Sequence, residues 1–258
     1  MKTPQADRPV LELTGVGKQF GAIRALHGVD LQVSSGEVVG LMGDNGAGKS
    51  TLIKCISGVH SAEDGEIVFD NGAVRFASPM DARRAGIETI YQDLALANNL
   101  DVGANIFLGR EVKTRRLGGL VQTLDDKHMR EQSRQTLDSL EIRIPALTEP
   151  IEKLSGGQRQ AVAIARAVYW DARLMIMDEP TNNLGVPEQH KVLELIRMLK
   201  GRGVPVILIT HVMPDALAVT NRIIVMHRGR KVAEKLTART SAEELVQYMV
   251  GAREDAAD

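Results

Sequence analysis

Cysteine, aromatic residues and long hydrophobic runs are all scarce in this chain. Its one cysteine, Cys55, excludes an intrachain disulfide and fits the reducing cytosol. The apolar residues around Cys55 predict a small buried side chain rather than a reactive thiol. The longest apolar runs, such as Val206 to Ile209, are too short to cross a bilayer, and residues 1–9 lack the apolar centre of a signal peptide. If this protein functions at a membrane, another chain would therefore have to supply the membrane-spanning part.

An excess of charge of either sign is also missing. The chain has 32 basic and 33 acidic residues, a net charge of −1, and only 3 % of its residues are aromatic. Without a basic stripe interleaved with aromatic side chains, nucleic acid is not an expected partner. The content of 43 % hydrophobic and 25 % charged residues is ordinary for a soluble globular protein. A chain of 258 residues can form one large α/β domain or two small ones.

A glycine-rich loop fits the pattern G-x-x-x-x-G-K-[ST], which binds nucleoside triphosphates. Its residues are Gly43, Asp44, Asn45, Gly46, Ala47, Gly48, Lys49, Ser50 and Thr51. A buried strand over 38–42 is predicted before it and a helix over 51–57 after it, which is the context the motif needs. Backbone N–H groups and the helix dipole would converge on phosphate oxygens, Lys49 would reach the β- and γ-phosphates, and Ser50 would offer its hydroxyl to Mg²⁺. The alternative is a glycine-rich turn without a ligand.

Polar side chains follow the carboxyl ends of three further predicted strands. Gln92 follows a strand over 87–91, a strand over 173–180 finishes in the two carboxylates Asp178 and Glu179, and His211 follows a strand over 206–210. Because carboxyl ends of parallel strands share one crevice, these groups are expected to meet near the phosphate loop. A carboxylate there suits Mg²⁺, and a second one could polarise an attacking water. Taken singly, Gln92 could be a loop residue and His211 a structural histidine.

A second helix end that could bind an anion is predicted at Leu-Ser-Gly-Gly-Gln, residues 154–158. Ser155 is a good N-cap for the alanine-rich helix that follows, and two glycines leave its N-terminus open.

Phe20 is predicted in a turn over 18–21, where it could stack on a purine or belong to a satellite core. The glycines at 15, 17, 21, 28 and 36 are interpreted as turns, and residues 110–119 as a solvated surface excursion.

Taken in their order along the chain, these motifs resemble those of the ATP-binding cassette ATPases, and the resemblance covers about residues 10–250. The resemblance implies that Phe20 stacks on adenine and that residues 43–51 hold the phosphates of ATP. Ser50, Gln92 and Asp178 would then serve Mg²⁺, while Glu179 orients the attacking water and His211 contacts the γ-phosphate. Catalysis would rest on Lys49, Gln92, Glu179 and His211. The signature residues Ser155, Gly156, Gly157 and Gln158 would contact the ATP of a second copy.

The resemblance also implies a fold and its boundaries. The expected fold is α/β, a RecA-like P-loop NTPase core with an N-terminal antiparallel β-layer and a helical subdomain insertion. The whole chain, 1–258, would be a single nucleotide-binding domain. The core and β-layer would cover about 10–92 and 166–250, the helical subdomain about 93–165, and a tail 251–258.

Within these ATPases the chain looks most like the subunits of monosaccharide importers. Three stretches carry that resemblance: residues 90–96, 105–111 and 181–186. It implies ATP hydrolysis coupled to sugar uptake through a separate membrane permease, which an extracytoplasmic sugar-binding protein feeds. The ATPase would be peripheral, on the cytoplasmic face of the membrane, and would dock its permease just after Gln92. Because there is one cassette, two cassettes are expected to come together, supplied by a homodimer or by a partner chain.

One departure and two alternatives accompany this interpretation. Where the wider family usually has Ser-Ala-Leu-Asp, residues 182–185 are Asn-Asn-Leu-Gly, and Gly185 has no carboxylate to couple two ATP sites. An exporter or an importer of another solute would share the catalytic motifs. A soluble cassette ATPase acting on nucleic acid or ribosomes would instead predict a basic surface, long insertions or two cassettes.

Overall fold

The computed structural model describes residues 9–116 and 121–253. The strands are β1 (Leu11–Phe20), β2 (Ile23–Val33), β3 (Val38–Gly43), β4 (Asp64–Phe69), β5 (Gly72–Ala73), β6 (Ile87–Ile90), β7 (Lys113–Arg116), β8 (Val121–Leu124), β9 (Leu174–Asp178), β10 (Val206–Ile209), β11 (Arg222–His227) and β12 (Arg230–Leu236). The helices are α1 (Lys49–Ile56), α2 (Pro79–Ala85), α3 (Val102–Ile106), α4 (Asp126–Ser139), α5 (Gly156–Tyr169), α6 (Val186–Gly201), α7 (Met213–Val219) and α8 (Ala242–Met249). Single 3-10 turns lie at Ile151–Lys153 and Thr237–Arg239.

The chain divides into two compact units. The first comprises Met1–Thr89, Arg173–Pro180 and Ile196–Asp258, and the second comprises Ile90–Ala172 and Thr181–Leu195. The boundaries expected from the sequence, with a helical subdomain over 93–165, stay a prediction. None of the helices in the described parts of the chain is both long and apolar enough to span a bilayer.

The central sheet of the first unit has the strand order β12-β11-β3-β10-β9-β6. Strand β10 pairs in parallel with both β3 and β9, and β11 pairs in parallel with β3. In this register Ile209 lies opposite Leu41 on one side and Asp178 on the other. The carboxyl ends of β3, β9 and β10 therefore reach the same edge of the sheet, as the sequence predicts. Their apolar runs are buried along almost their whole length, which is typical of strands covered on both faces.

The second sheet of this unit is antiparallel, with the order β2-β1-β4-β5. The prediction that every glycine in this region marks a turn is wrong for Gly15, Gly17 and Gly28, which lie inside β1 and β2. The pairing of β1 shifts register between Leu13 and Lys18, so the first two glycines accommodate bulges in one long strand. Strands β4 and β5 form a hairpin, with positive φ at both of its central residues, 70 and 71.

Helix α1 packs between the two sheets and contacts β2 and β3. It begins at Lys49, two residues earlier than predicted, and buries Leu52, Ile53, Cys55 and Ile56. These side chains join a core cluster that also includes residues of β1, β2, β4, β9, β10 and β11. Each large apolar side chain buried there contributes about 1.5–3 kcal/mol. An eight-residue helix is unstable alone in water, so this packing holds the helix behind the phosphate loop.

In the second unit, helices α3, α4 and α5 pack on one another. Asp101 accepts a hydrogen bond from the Ala104 N–H at 2.7 Å and caps α3. The segment after Arg110 is not only a solvated excursion, because β7 and β8 form an antiparallel hairpin there. The guanidinium of Arg110 lies 4.6 Å from the ring centroid of Trp170, a cation–π contact. Residues 117–119 of that excursion lie outside the described residues.

The chain end is described as far as Arg253. The Ala252 N–H donates to the Gln247 carbonyl at 2.9 Å, and Arg253 pairs with Glu244 at 3.2 Å. The remainder of the predicted tail, 254–258, lies outside the described residues.

Candidate active site

The phosphate loop leads from β3 into α1. The N-cap of α1 is Gly48, which has no side chain to satisfy the amides of the first turn. Those N–H groups and the positive end of the helix dipole are therefore available to an anion. Within the loop, the Ala47 N–H donates to the Asp44 carbonyl at 3.1 Å, and the Asn45 N–H donates to the Asp44 carboxylate at 2.8 Å. Ser50 is exposed and Thr51 is half-buried at the start of the helix.

Two glycines of the loop are required by its backbone. Gly48 has φ +102°, and a Cβ there would lie 3.0 Å from the carbonyl oxygen of Ala25. Gly43 has φ +149°, and a Cβ there would lie 2.3 Å from the carbonyl oxygen of Met226. The turn between β11 and β12 also supports the loop, because the Gly229 N–H donates to the Ala47 carbonyl at 2.9 Å. The loop is thus shaped by neighbouring strands as well as by its own sequence.

The half-buried Lys49 folds back over this loop. Its ammonium donates to the carbonyls of Gly43 at 2.8 Å and of Asp44 at 3.0 Å. Burial lowers the pKa of Lys49, and the negative charges of Glu179, Asp178 and Asp44 counteract that lowering. The ammonium therefore lies within electrostatic range of both carboxylates at the end of β9.

Asp178 is the last residue of β9 and is half-buried. Burial raises the pKa of the Asp178 carboxyl, the negative charge of Glu179 raises it further, and the positive charges of Lys49 and Lys54 oppose both effects. Two neighbouring carboxylates facing a lysine form a site where added positive charge is favourable.

Glu179 and His211 contact each other directly. The Nδ1–H of His211 donates to Oε1 of Glu179 at 3.0 Å. The backbone of Glu179 has φ +51°, a left-handed conformation that is uncommon for a residue with a side chain. Its N–H donates to the carbonyl of Ile209 at 2.9 Å, so the last residue of β10 holds this turn. His211 follows β10 and is largely exposed.

The expected position of Phe20 in a turn is wrong, because Phe20 is the last residue of β1. The ring is nevertheless 44 % exposed, so it is accessible to a ligand. The ring of His60 contacts it with centroids 5.1 Å apart, and the ammonium of Lys18 lies 5.2 Å from its centroid. Glu63 holds that ammonium in an ion pair at 2.8 Å and accepts from the Gln19 N–H at 2.9 Å. Sequence reasoning missed these neighbours, because none of them belongs to a motif.

The remaining predicted site residues belong to the second unit. Gln92 is exposed and follows β6, which ends at Ile90. Ser155 caps α5 in a complete capping box: the Gln158 N–H donates to its hydroxyl at 3.3 Å, and its own N–H donates to the Gln158 side chain at 2.9 Å. This box fixes the loop while the amides of Gly156 and Gly157 lie at the N-terminus of a long helix.

The donors at this site fit a small hard cation that phosphate oxygens help to hold. Ser50 offers a hydroxyl and Asp178 a carboxylate, both of the oxygen type that Mg²⁺ prefers. Among residues 9–116 and 121–253, no group of three or more His, Cys, Asp or Glu side chains could hold a metal ion by itself. Cys55 takes no part, because burial raises the pKa of its thiol to about 11.

A phosphate loop, strand-end carboxylates and a histidine at the shared carboxyl ends of parallel strands define a nucleoside triphosphate-binding protein. Comparison with known proteins narrows this class. The ABC transporter family profile matches residues 26–182. The chain belongs to the ABC transporter family, and it is an ATPase of that family.

Curated relatives support this assignment over nearly the whole chain. The chain is 51 % identical over 240 residues to a xylose/arabinose import ATP-binding protein of Sulfolobus acidocaldarius, covering 93 % of each. It is 42 % identical to a fructose import ATP-binding protein of Rhizobium meliloti, covering 96 % of each. A ribose import ATP-binding protein of Yersinia pestis is 41 % identical over 94 % of this chain, which spans only 46 % of that protein.

Solved structures agree on the fold. A nucleotide-free ATP-binding cassette from an ABC transporter matches with a TM-score of 0.78 and 26 % identity, covering 94 % of this chain and 95 % of that one. A dimeric bacterial ABC transporter cassette matches with a TM-score of 0.73 and 26 % identity, covering 88 % of this chain and 98 % of that one. The predicted P-loop NTPase fold with an antiparallel β-layer is thereby confirmed.

Proposed function

We propose that this chain hydrolyses ATP to drive uptake of a monosaccharide through a separate membrane permease. The observation that carries the ATPase chemistry is the meeting of Lys49, Asp178, Glu179 and His211 at the carboxyl ends of the parallel strands β3, β9 and β10. Support for a sugar comes from relatives at 41–51 % identity, which are named as import proteins for xylose/arabinose, fructose and ribose. Their transported sugars differ, so the proposal is limited to the class of monosaccharides.

In this proposal the amides at the start of α1 and the ammonium of Lys49 hold the phosphates, and the ring of Phe20 stacks on adenine. Ser50 and Asp178, together with Gln92, would hold Mg²⁺, which supplies charge neutralisation on the triphosphate. Glu179 accepts a hydrogen bond from the attacking water and orients it, while His211 holds the carboxylate of Glu179 and contacts the γ-phosphate. Most of the rate acceleration would come from positioning and charge stabilisation.

The proposed working unit contains two copies of the chain. Residues 43–51 would bind one side of each triphosphate, and the signature loop of the other copy, Ser155–Gln158, would bind the opposite side. Two separate anion-binding helix ends in one chain favour this arrangement, and so does the dimeric cassette among the solved relatives. The partners would be membrane permease subunits and, indirectly, an extracytoplasmic sugar-binding protein. The chain would then work peripherally at the cytoplasmic face of the membrane.

Reconstitution tests this proposal. The chain would be incorporated with its permease into vesicles, and ATP-dependent uptake of radiolabelled pentoses and hexoses would be measured with a sugar-binding protein present. Lys49→Ala is the inactive control, because loss of charged hydrogen bonds worth about 1.5–3 kcal/mol each should weaken ATP binding roughly 10- to 150-fold. ATP hydrolysis without uptake of any monosaccharide would refute the sugar assignment. Unchanged ATP affinity in Lys49→Ala would refute the proposed site.

A further inference from the structure

The glycines of the signature loop pack against side chains of the segment that follows Glu179 and Pro180. A Cβ at Gly157 would lie 2.7 Å from Cγ and 2.9 Å from Cβ of Glu188. A Cβ at Gly156 would lie 2.8 Å from Cδ2 of Leu184. The space beside both glycines is therefore already filled by the side chains of Leu184 and Glu188. The position of the loop depends on the positions of these two side chains.

The side chain of Glu188 is held at its other end as well. Its carboxylate accepts from the Gly185 N–H at 3.0 Å, and a Cβ at Gly185 would lie 2.8 Å from the same carboxylate oxygen. This contact is one half of a capping box at the start of α6, in which Gly185 has no side chain to complete the other half. The carboxylate of Glu188 thus contacts Gly185, while its methylene stem packs against Gly157. One half-buried residue links two loops of the second unit.

The segment around Glu188 is itself ordered by short-range contacts. The Glu188 and Gln189 N–H groups donate to the Gly185 carbonyl at 3.0 and 2.9 Å. The Gln189 side chain donates to the Leu184 carbonyl at 3.1 Å. A displacement of the turn that begins at Thr181, directly after Glu179 and Pro180 in the chain, would therefore move Glu188 with it. The stem of Glu188 would then displace Gly157.

We propose that Glu188 is a positioning residue, which sets the signature loop relative to the turn after Glu179 without touching the nucleotide. The inference rests on the proposed function, in which the signature loop binds the triphosphate held by a second copy. Its expected consequence is selective: ATP binding to the phosphate loop of one chain should not need Glu188, whereas assembly across the signature loop and turnover should.

The experiment compares three single variants. Glu188→Ala removes both the stem and the acceptor, and Glu188→Gln keeps the stem and an oxygen that can accept from the Gly185 N–H. Glu194→Ala is the matched control, an exposed glutamate on the same helix. Each is measured for binding of a fluorescent ATP analogue, for steady-state turnover, and for hydrogen exchange at the amides of residues 156–158. In the Glu179→Gln background, ATP-dependent dimerisation is followed by sedimentation.

For Glu188→Ala we expect an unchanged affinity for ATP, faster exchange at residues 156–158, and turnover lowered roughly 10- to 100-fold, the cost of a misplaced binding group. Glu188→Gln should restore turnover to within a few-fold of the wild type, and Glu194→Ala should resemble the wild type throughout. Turnover of Glu188→Ala equal to that of Glu194→Ala would overturn the inference, and so would an equal loss in both Glu188 variants. A wild-type chain that binds no ATP would instead refute the proposed function.

Discussion

Replacement of Glu179 by glutamine is the most informative single perturbation of the site. Glutamine has the same shape and branching, so the left-handed backbone at this position carries no new strain. The amide can still form a hydrogen bond with Nδ1 of His211, which now lies 3.0 Å from the carboxylate. The variant therefore removes a charge and a base while it keeps the contacts that hold the turn.

The expected loss is the contribution of a general base. Such a group accelerates a reaction roughly 10²- to 10⁴-fold, which corresponds to about 3–5 kcal/mol in the activation free energy. ATP affinity should fall little or not at all, because Glu179 repels the phosphates. Its removal also withdraws one of the two causes that raise the pKa of Asp178, leaving burial as the other.

The altered pKa of Asp178 gives the same variant a pH signature. Asp178 must be ionised to hold Mg²⁺, and its raised pKa means that protonation removes this ligand at a higher pH than for an ordinary aspartate. As the pH falls, Mg²⁺-dependent ATP binding should be lost first in the wild type and only at lower pH in Glu179→Gln. The prediction is that the pH at which ATP binding is half lost is higher for the wild type than for Glu179→Gln. The reverse order would contradict the proposed electrostatics.

Single-turnover release of phosphate measures the chemical step, and Glu194→Gln is the matched control for loss of a carboxylate on an exposed surface. A Glu179→Gln protein that hydrolyses ATP within tenfold of the wild-type rate would refute the role of Glu179. A variant that no longer binds ATP would show that the substitution disturbs the site itself.

Four further predictions can be checked with standard assays. Phe20→Ala should weaken binding of ATP about 5- to 150-fold, the worth of one stacked base, but leave tripolyphosphate binding unchanged in the same titration. Ser155→Arg should abolish the ATP-dependent dimer of Glu179→Gln in sedimentation, by its bulk at the signature loop. Asp93→Lys should lower transport more than basal ATPase activity in vesicles, and an equal loss of both would argue against permease docking there. Gly48→Ala should lower the melting temperature and ATP affinity together, since backbone strain alone costs about 1–3 kcal/mol.

The predictable part of the site is the part built by strands. Apolar runs ending in Asp178 and His211 predict neighbouring parallel strands, and the register of β10 against β3 and β9 puts their ends at one edge. The phosphate loop is equally predictable from the sequence, because its chemistry requires glycines at fixed spacing. The catalytic roles of Asp178, His211 and the phosphate loop stay predictions until the variants are measured.

What the sequence could not predict depends on contacts between distant residues. The hairpin of β7 and β8 has no alternating apolar pattern, since its first strand reads Lys-Thr-Arg-Arg, so pairing alone defines it. Gly15 resembles a turn residue locally, yet its neighbours on either side pair with β2 and β4 and keep it inside a bulged strand. Glu188 belongs to no motif, and its contact with Gly157 exists only after two segments 31 positions apart in the chain have folded together.

The burial of Cys55 has a practical consequence for measuring this ATPase at work. With a pKa of about 11, only about one thiol in ten thousand is ionised at neutral pH, and its side chain is 3 % exposed. Maleimide reagents should therefore leave the natural chain unlabelled. A single cysteine introduced at an exposed position such as Arg230 would react alone, so spin labels or fluorophores could report distances between two copies without first removing a native thiol.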